Sequence, residues 1–431
     1  MRLIAQLAWR SAWSRRGSLA LLVLSIATST VLFLGLDLIR QSTRSSFANA
    51  VSGTDLIVGA QNSGVSLLLY SVFRLGEAAP NMPVEVITEL RKDPRVASVI
   101  PIALGDSFQG FPVVGTEAVY FEAFRFGQGQ GLSFAKGQAF SDYKPGMPAG
   151  ALFDAVVGSE VARRLNLGLG DSLALTHGVS LEGLSHADKP FQVAGVLAPT
   201  GTPVDRSVHI SLQGMDAIHL DWAAGVPVKG AAIPAELSTR FDVQPKSVTA
   251  ALVSLKSRAL VFRVQRSLEN HPDFSLTALL PGVALSTLWD TVGQMERLLA
   301  GVSALVAMVS VLGLTSVMLV TLGQRRRELA VLRSVGAGPG LIVALLQMEV
   351  ALVMLTGLGG GILLTLGLTT ATAPWVQGWA GVQWVGFAQL HLAWWMLAGF
   401  LATGLLLGLL PAWLAYRRQL QDGLSPGAGG V

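Results

Sequence analysis

Gln324-Arg325-Arg326-Arg327-Glu328-Leu329-Ala330-Val331-Leu332-Arg333-Ser334-Val335-Gly336-Ala337 lies between two long apolar segments. Basic residues that flank membrane helices collect on the cytoplasmic side, so four arginines in so short a loop place it in the cytoplasm. The rest of the chain can be oriented outward from this point.

Composition agrees with a membrane protein: 51% of residues are hydrophobic, 13% are charged, and the mean hydropathy is +0.53. Uncharged stretches of about 20 residues suffice to cross a hydrocarbon core as helices, which satisfy their own backbone polar groups. Four spans are expected, at 18–38, 298–323, 341–372 and 393–416. The expected fold is an α-helical membrane protein with four transmembrane helices in a 1+3 arrangement and a large α+β extracytoplasmic domain at 39–297. An amphipathic helix at 1–17 suits the inner membrane surface through Trp9, Arg10 and Trp13, and residues 417–431 form a cytoplasmic tail. Trp375, Trp379 and Trp384 fall in the short external turn at 373–392, at the interface depth that indole rings favour. The alanines at 48 and 50 resemble a signal-cleavage site, but Asp37, Arg40 and Arg44 precede them, so the first helix reads as a retained anchor.

Charge supports the same orientation. Residues 37–297 hold 24 acidic and 21 basic side chains, a net charge of −3, whereas the remainder holds 3 acidic and 10 basic, a net charge of +7. The basic balance therefore reports topology and gives no reason to expect nucleic acid as a partner. No cysteine occurs, no His-Glu-x-x-His helix is present, and the one Gly-x-Ser-x-Gly match, Gly423 to Gly427, lies in the Gly-rich tail and not between a strand and a helix, so enzyme chemistry has little support.

In the outer domain, strands are expected at 55–59, 96–104, 111–115, 155–158, 172–176, 191–197 and 248–255, with helices at 84–92, 159–167 and 258–270. Ser159 is the expected N-cap of the second of these helices. Residues 127–131 and 144–150 read as loops. Helical character continues past the first span to Ala50 and precedes the second from Leu285, which suggests stalks.

The loop motif Arg326 to Ala337 and the 1+3 arrangement together resemble the FtsX/MacB-like permeases, the membrane subunits of type VII ABC transporters. Val156-Val157-Gly158-Ser159-Glu160-Val161-Ala162-Arg163-Arg164-Leu165, Leu167-Gly168-Leu169-Gly170-Asp171-Ser172-Leu173 and Phe191-Gln192-Val193-Ala194-Gly195-Val196-Leu197 resemble the family's periplasmic core domain. The resemblance implies an inner-membrane permease subunit with both termini cytoplasmic, working with an ABC ATPase and a second permease copy, identical or related. It implies that ATP and Mg²⁺ sit on the ATPase, since this sequence has no Gly-x-x-x-x-Gly-Lys-Ser/Thr loop. Arg325, Arg326, Arg327, Glu328, Leu329, Leu332 and Arg333 then form the docking helix, and Gly336 opens the turn into the third span. A periplasmic binding or adaptor protein and membrane lipid complete the implied partners. The implied work is mechanical: export, extraction or release of an envelope substrate. A signalling scaffold that activates an envelope enzyme and a zinc or transition-metal transport component are the alternatives.

Two further features concern polar chemistry. Apart from Asp37 at the very end of the first span, Glu349 is the one carboxylate inside a span, where an ionisable group is a functional candidate by default. His177, His186, His209 and His219 fall close together in sequence, with Asp188 among them, and imidazole with carboxylate suits Zn²⁺.

Overall fold

The structure, a computed structural model, describes residues 16–178, 184–223, 226–228, 233–324, 331, 334–380 and 382–424. Residues 1–15, and with them most of the expected amphipathic helix, lie outside the described residues, as do Arg325, Arg326, Arg327, Glu328, Leu329, Leu332 and Arg333. The chain divides into a membrane unit (1–42, 293–374 and 384–431) and an outer unit (43–292 with 375–383).

Among the described residues, four helices are long and apolar enough to cross a bilayer. They run Arg16–Ala50, Pro281–Gln324, Pro339–Ala380 and His391–Leu424, each longer than the apolar stretch that marks it. Hydropathy detects only lipid-facing sequence, whereas a helix continues until something breaks its hydrogen bonding. Gly336, in the left-handed region at φ +97°, and Pro339, the first residue of the third helix, provide such a break.

Within the membrane unit the first helix touches the other three. Glycines bring it against the third: a Cβ on Gly357 would lie 2.6 Å from Ile26 Cγ2, and one on Gly361 would lie 2.5 Å from Thr30 Cβ and 2.7 Å from the Ala27 carbonyl. Gly404 and Gly408 do the same for the fourth helix against Met354 and Val350 of the third. Both pairs have the four-residue spacing that puts two small residues on one helix face, where dispersion contacts hold helices together in lipid. Ser25 and Ser29 reach Ser310 on the second helix at 2.7 and 3.0 Å. Further along the same helices, Arg40 pairs with Glu296 at 3.1 Å. Phe33 meets Phe400 edge-on. Where the first helix leaves its apolar stretch it holds the start of the fourth: the Ala393 N–H donates to buried Asp37, and the Val385 N–H to Ser42. Glu349 is buried within the membrane unit.

The outer unit is built on an eleven-stranded sheet. Its main path runs Leu276–Leu279, Leu56–Ala60, Ala250–Leu255, Val96–Phe108, Phe111–Thr116, Val208–Ser211, Asp154–Val157, Phe191–Leu197 and Phe134–Gly137. Successive strand residues face opposite sides, and the cores divide accordingly. Ile57, Ile100, Val114 and Val156 enter one core that spans the sheet. On the other face, Leu56, Val58 and Val99 pack against the helices Glu85–Lys92 and Val261–Glu269. Val113, Ala155 and Val157 contribute to a separate core with the helices Ser159–Leu165 and Leu212–Ile218. Each helix supplies its apolar face at helical spacing, as with Val261, Val264 and Leu268.

Several local expectations are corrected. The expected strand at 172–176 splits into Ser172–Leu173, paired with Phe191–Leu197, and Thr176–His177, paired with Val96–Phe108, because the two ends serve different partners. Ser159 is the first helical residue and Gly158 the N-cap; a Cβ at 158 would meet the Val204 and Asp205 carbonyls at 2.3 and 2.5 Å, so the close backbone approach selects glycine. Residues 125–131 form a short hairpin instead of a loop, with Arg125–Phe126 paired to Gln130–Gly131.

Candidate metal centre

The long strand Val96–Phe108 carries a polar interruption, Gly105-Asp106-Ser107, where its register with Phe111–Thr116 shifts between Leu104 and Ser107. Such a bulge re-aims side chains, and here Asp106 is almost fully buried. Directly across the strand pair stands His177. The His177 N–H donates to the Leu184 carbonyl and the His186 N–H to the Leu175 carbonyl, which brings His186 back beside His177. His219 arrives from another direction, as the residue that ends the helix Leu212–Ile218, itself N-capped by Ser211.

The result is a cluster of three imidazoles around one carboxylate, with one ligating atom from each of Asp106, His177, His186 and His219 lying within 4.8 Å of all the others. His177 Nδ1 is 3.0 Å from Asp106 Oδ1 and 3.0 Å from His219 Nε2. His219 Nε2 lies 3.6 Å, and His186 Nε2 3.9 Å, from the same carboxylate oxygen. Trp222 covers the group, its ring centroid 4.2 Å from that of His186 and 5.1 Å from that of His177.

Hydrogen bonding fixes one of the rings. His219 Nδ1 lies 2.8 Å from the Met215 carbonyl, four residues back in its helix. A carbonyl only accepts, so Nδ1 carries the proton and the Nε2 lone pair of neutral His219 points at the cluster. His186 is fully buried, and among the described residues neither of its ring nitrogens has a hydrogen-bond partner; the same holds for Asp106 Oδ2. Burial is the largest influence on His186 and lowers its pKa to about 4 against the pull of Asp106, which keeps the ring neutral. For His219 burial acts downward too, but the hydrogen bond and charge of Asp106 and the Met215 carbonyl together hold its pKa above the ordinary value.

Of the residues singled out in the sequence, His177, His186 and His219 come together, whereas Asp188 and His209 do not join them. Asp188 sits 3.1 Å from the ammonium of Lys189, a fully buried cation whose second partner is Asp221 at 2.6 Å. A buried ammonium needs that compensation, and it engages the carboxylate. His209 lies on the strand Val208–Ser211 with its ring against Tyr120 and Phe121 and its Nδ1 3.3 Å from the Val156 carbonyl. Burial first, and then the positive charge of Arg74, lower its pKa to about 3. It is a neutral core residue. Asp106 and Trp222 had no signal of proximity in the sequence; the one clue was a carboxylate interrupting an otherwise apolar strand.

Residues 19–271 match the MacB-like periplasmic core domain, and residues 300–422 match the FtsX-like permease C-terminal domain. A macrolide export ATP-binding/permease protein MacB from Shigella sonnei is 32% identical over 144 residues, and that of Escherichia coli K12 is 31% identical over 144 residues. The match covers 33% of this chain and 21% of either relative, so the chain spans only about a fifth of their length. Among solved structures, the periplasmic region of MacB from Actinobacillus actinomycetemcomitans aligns at 12% identity with a TM-score of 0.32, covering 56% of this chain and 94% of that one. The extracellular domain of the noncanonic ABC-type transporter YknZ from Gram-positive bacteria aligns at 13% identity and a TM-score of 0.30, covering 52% and 98%.

Proposed function

The chain belongs to the FtsX/MacB-like family of ABC transporter permeases, and from that premise we propose that it transmits ATP-driven motion from a cytoplasmic ATPase, carried on a partner chain, to its outer domain. The observation that carries this reading is the length and continuity of two helices. Arg16–Ala50 has 35 residues and Pro281–Gln324 has 44. At 1.5 Å per residue they measure about 53 Å and about 66 Å, against a hydrocarbon core of about 30 Å. Neither is interrupted, so a displacement applied at one end reaches the other without a hinge.

The two helices are also fastened to each other. In the membrane unit they are joined by Ser25 and Ser29 with Ser310 and by Arg40 with Glu296. In the outer unit Trp289 takes Phe47 edge-on at 5.5 Å and the Arg44 guanidinium over its ring at 5.3 Å. The cytoplasmic input is the Arg325–Arg333 segment, whose guanidinium groups and Glu328 offer charge-assisted hydrogen bonds to a partner groove while Leu329 and Leu332 anchor it. Two copies of the permease face the two subunits of an ATPase dimer, and the termini lie in the cytoplasm. Glu349, buried within the membrane unit, would serve in subunit contact or in coupling helix packing to this motion.

A flexible Gly-Ser insertion after Thr43 and another after Val292 tests the reading. Membrane insertion and ATPase binding are expected to persist, while stimulation of ATP hydrolysis by whatever engages the outer domain disappears. Unchanged stimulation with both insertions present overturns rigid transmission.

A further inference from the structure

We propose that Asp106, His177, His186 and His219 form a binding site for a divalent transition-metal ion of the zinc class, held outside the membrane unit by three imidazole nitrogens and one carboxylate oxygen. The chemistry of the donors selects the ion class: neutral imidazole and carboxylate without sulfur suit Zn²⁺ and its neighbours, whereas Ca²⁺ and Mg²⁺ need oxygen ligands.

The spacing supports the same conclusion. A tetrahedral ion with Zn–N and Zn–O distances near 2.0–2.1 Å sets its ligand atoms about 3.3 Å apart. The four pairs with resolved distances, at 3.0, 3.0, 3.6 and 3.9 Å, bracket that value. Two imidazole nitrogens at 3.0 Å are either a proton-sharing pair or co-ligands. His177 Nδ1 is equally close to Asp106, and one proton serves only one of the two well.

Orientation and burial supply independent support. The Met215 carbonyl holds His219 in the tautomer that exposes Nε2 to the cluster, the outer-sphere arrangement typical of ligating histidines. His186, fully buried, and Asp106, 2% exposed, place polar atoms in the interior for which the described residues supply no hydrogen bond. A cation at the centre of the four would satisfy His186 Nε2 and neutralise the carboxylate. His177 and His219 keep 35% and 27% of their side-chain surface, which leaves an entry path from solvent. Four protein donors complete a tetrahedron, so the site is structural or sensory and leaves no position for a catalytic water. A bound ion would join the strand Val96–Phe108, the backbone at His177 and at His186, and the end of the helix Leu212–Ile218.

The test uses the full-length, tag-free chain in detergent after chelator treatment, titrated with Co²⁺ and then with Zn²⁺. The expected result is one Co²⁺ per chain, with the intense visible absorption of a tetrahedral site, displaced stoichiometrically by Zn²⁺. His186→Ala and Asp106→Asn are expected to abolish that spectrum, and His177→Ala, at the solvent-facing side, to abolish it in a chain whose metal-free melting matches wild type. His209→Gln, outside the cluster, keeps it. Absence of Co²⁺ binding, an octahedral spectrum, or retention of the tetrahedral spectrum in the His177→Ala, His186→Ala double variant overturns the proposal. None of these outcomes bears on the permease reading, which is tested separately.

Discussion

Gly361→Ala isolates the packing of the first and third membrane helices. The added methyl would lie 2.5 Å from Thr30 Cβ and 2.7 Å from the Ala27 carbonyl, and neither atom belongs to the movable end of a flexible side chain. The helices must therefore separate by a substantial fraction of an ångström over several turns. Overpacking of this kind costs about 1–3 kcal/mol. The same glycine cluster contains its own control: a Cβ on Gly359 or Gly360 meets nothing within 4 Å. Those substitutions carry the same change in intrinsic helix propensity, about 1 kcal/mol or less in favour of alanine, without the collision. The difference between Gly361→Ala and Gly360→Ala thus removes the propensity term and reports the helix–helix contact. Thermal unfolding of the full chain in mild detergent, followed by tryptophan fluorescence and far-UV dichroism, measures it. Gly361→Ala is expected to melt well below Gly360→Ala, with Gly357→Ala, 2.6 Å from Ile26 Cγ2, on the same side. Equal melting of Gly361→Ala and Gly360→Ala refutes the close approach of these helices.

Three further outcomes follow from other parts of the fold. Zn²⁺ at 100 times its dissociation constant should stabilise the chain by about 2.7 kcal/mol, an upward melting shift that chelator reverses and Asp106→Asn removes. Because the His209 pKa is lowered from 6.5 to about 3 in the folded chain, its contribution is complete above pH 6.5 and is lost as pH falls from there toward 3, where the unfolded chain takes up the proton first; His209→Phe should flatten the slope of stability between pH 6 and pH 4.5 by up to about 1.4 kcal/mol per unit. Asp37→Ala leaves the Ala393 N–H near the start of the fourth helix without its carboxylate, at a cost of about 1–2 kcal/mol in the same melting assay.

The membrane spans were legible because a run of apolar residues has few other uses, and the helical pattern beyond them carried the first helix to Ala50 and began the second at Leu285, close to the observed ends. Hydropathy falls silent at Asp37 and Arg297, while the helices continue to Ala50 and begin at Pro281. In the outer unit, strand 191–197 was readable from local pattern and matches its observed bounds. Val208–Ser211 was not, since His209 and the flanking serines disguise a strand buried on both faces. The candidate metal centre shows the same limit. Proximity in sequence grouped His209 with the other histidines, but its strand directs it to Tyr120 and Phe121. Asp106 lies 71 residues before His177 and reaches it only through strand pairing, which no local signal encodes.

The chain contains no cysteine, so single cysteines can be introduced without background, and the sidedness of the coupling segment is the most direct test of the account. With a membrane-impermeant maleimide applied to the outer face of the inner membrane, Leu169→Cys, at an exposed position of the outer unit, is expected to label at once, and Arg326→Cys only after the membrane is opened. Labelling of both positions from the same face would contradict the proposal that motion generated on one side of the bilayer is delivered to a domain on the other.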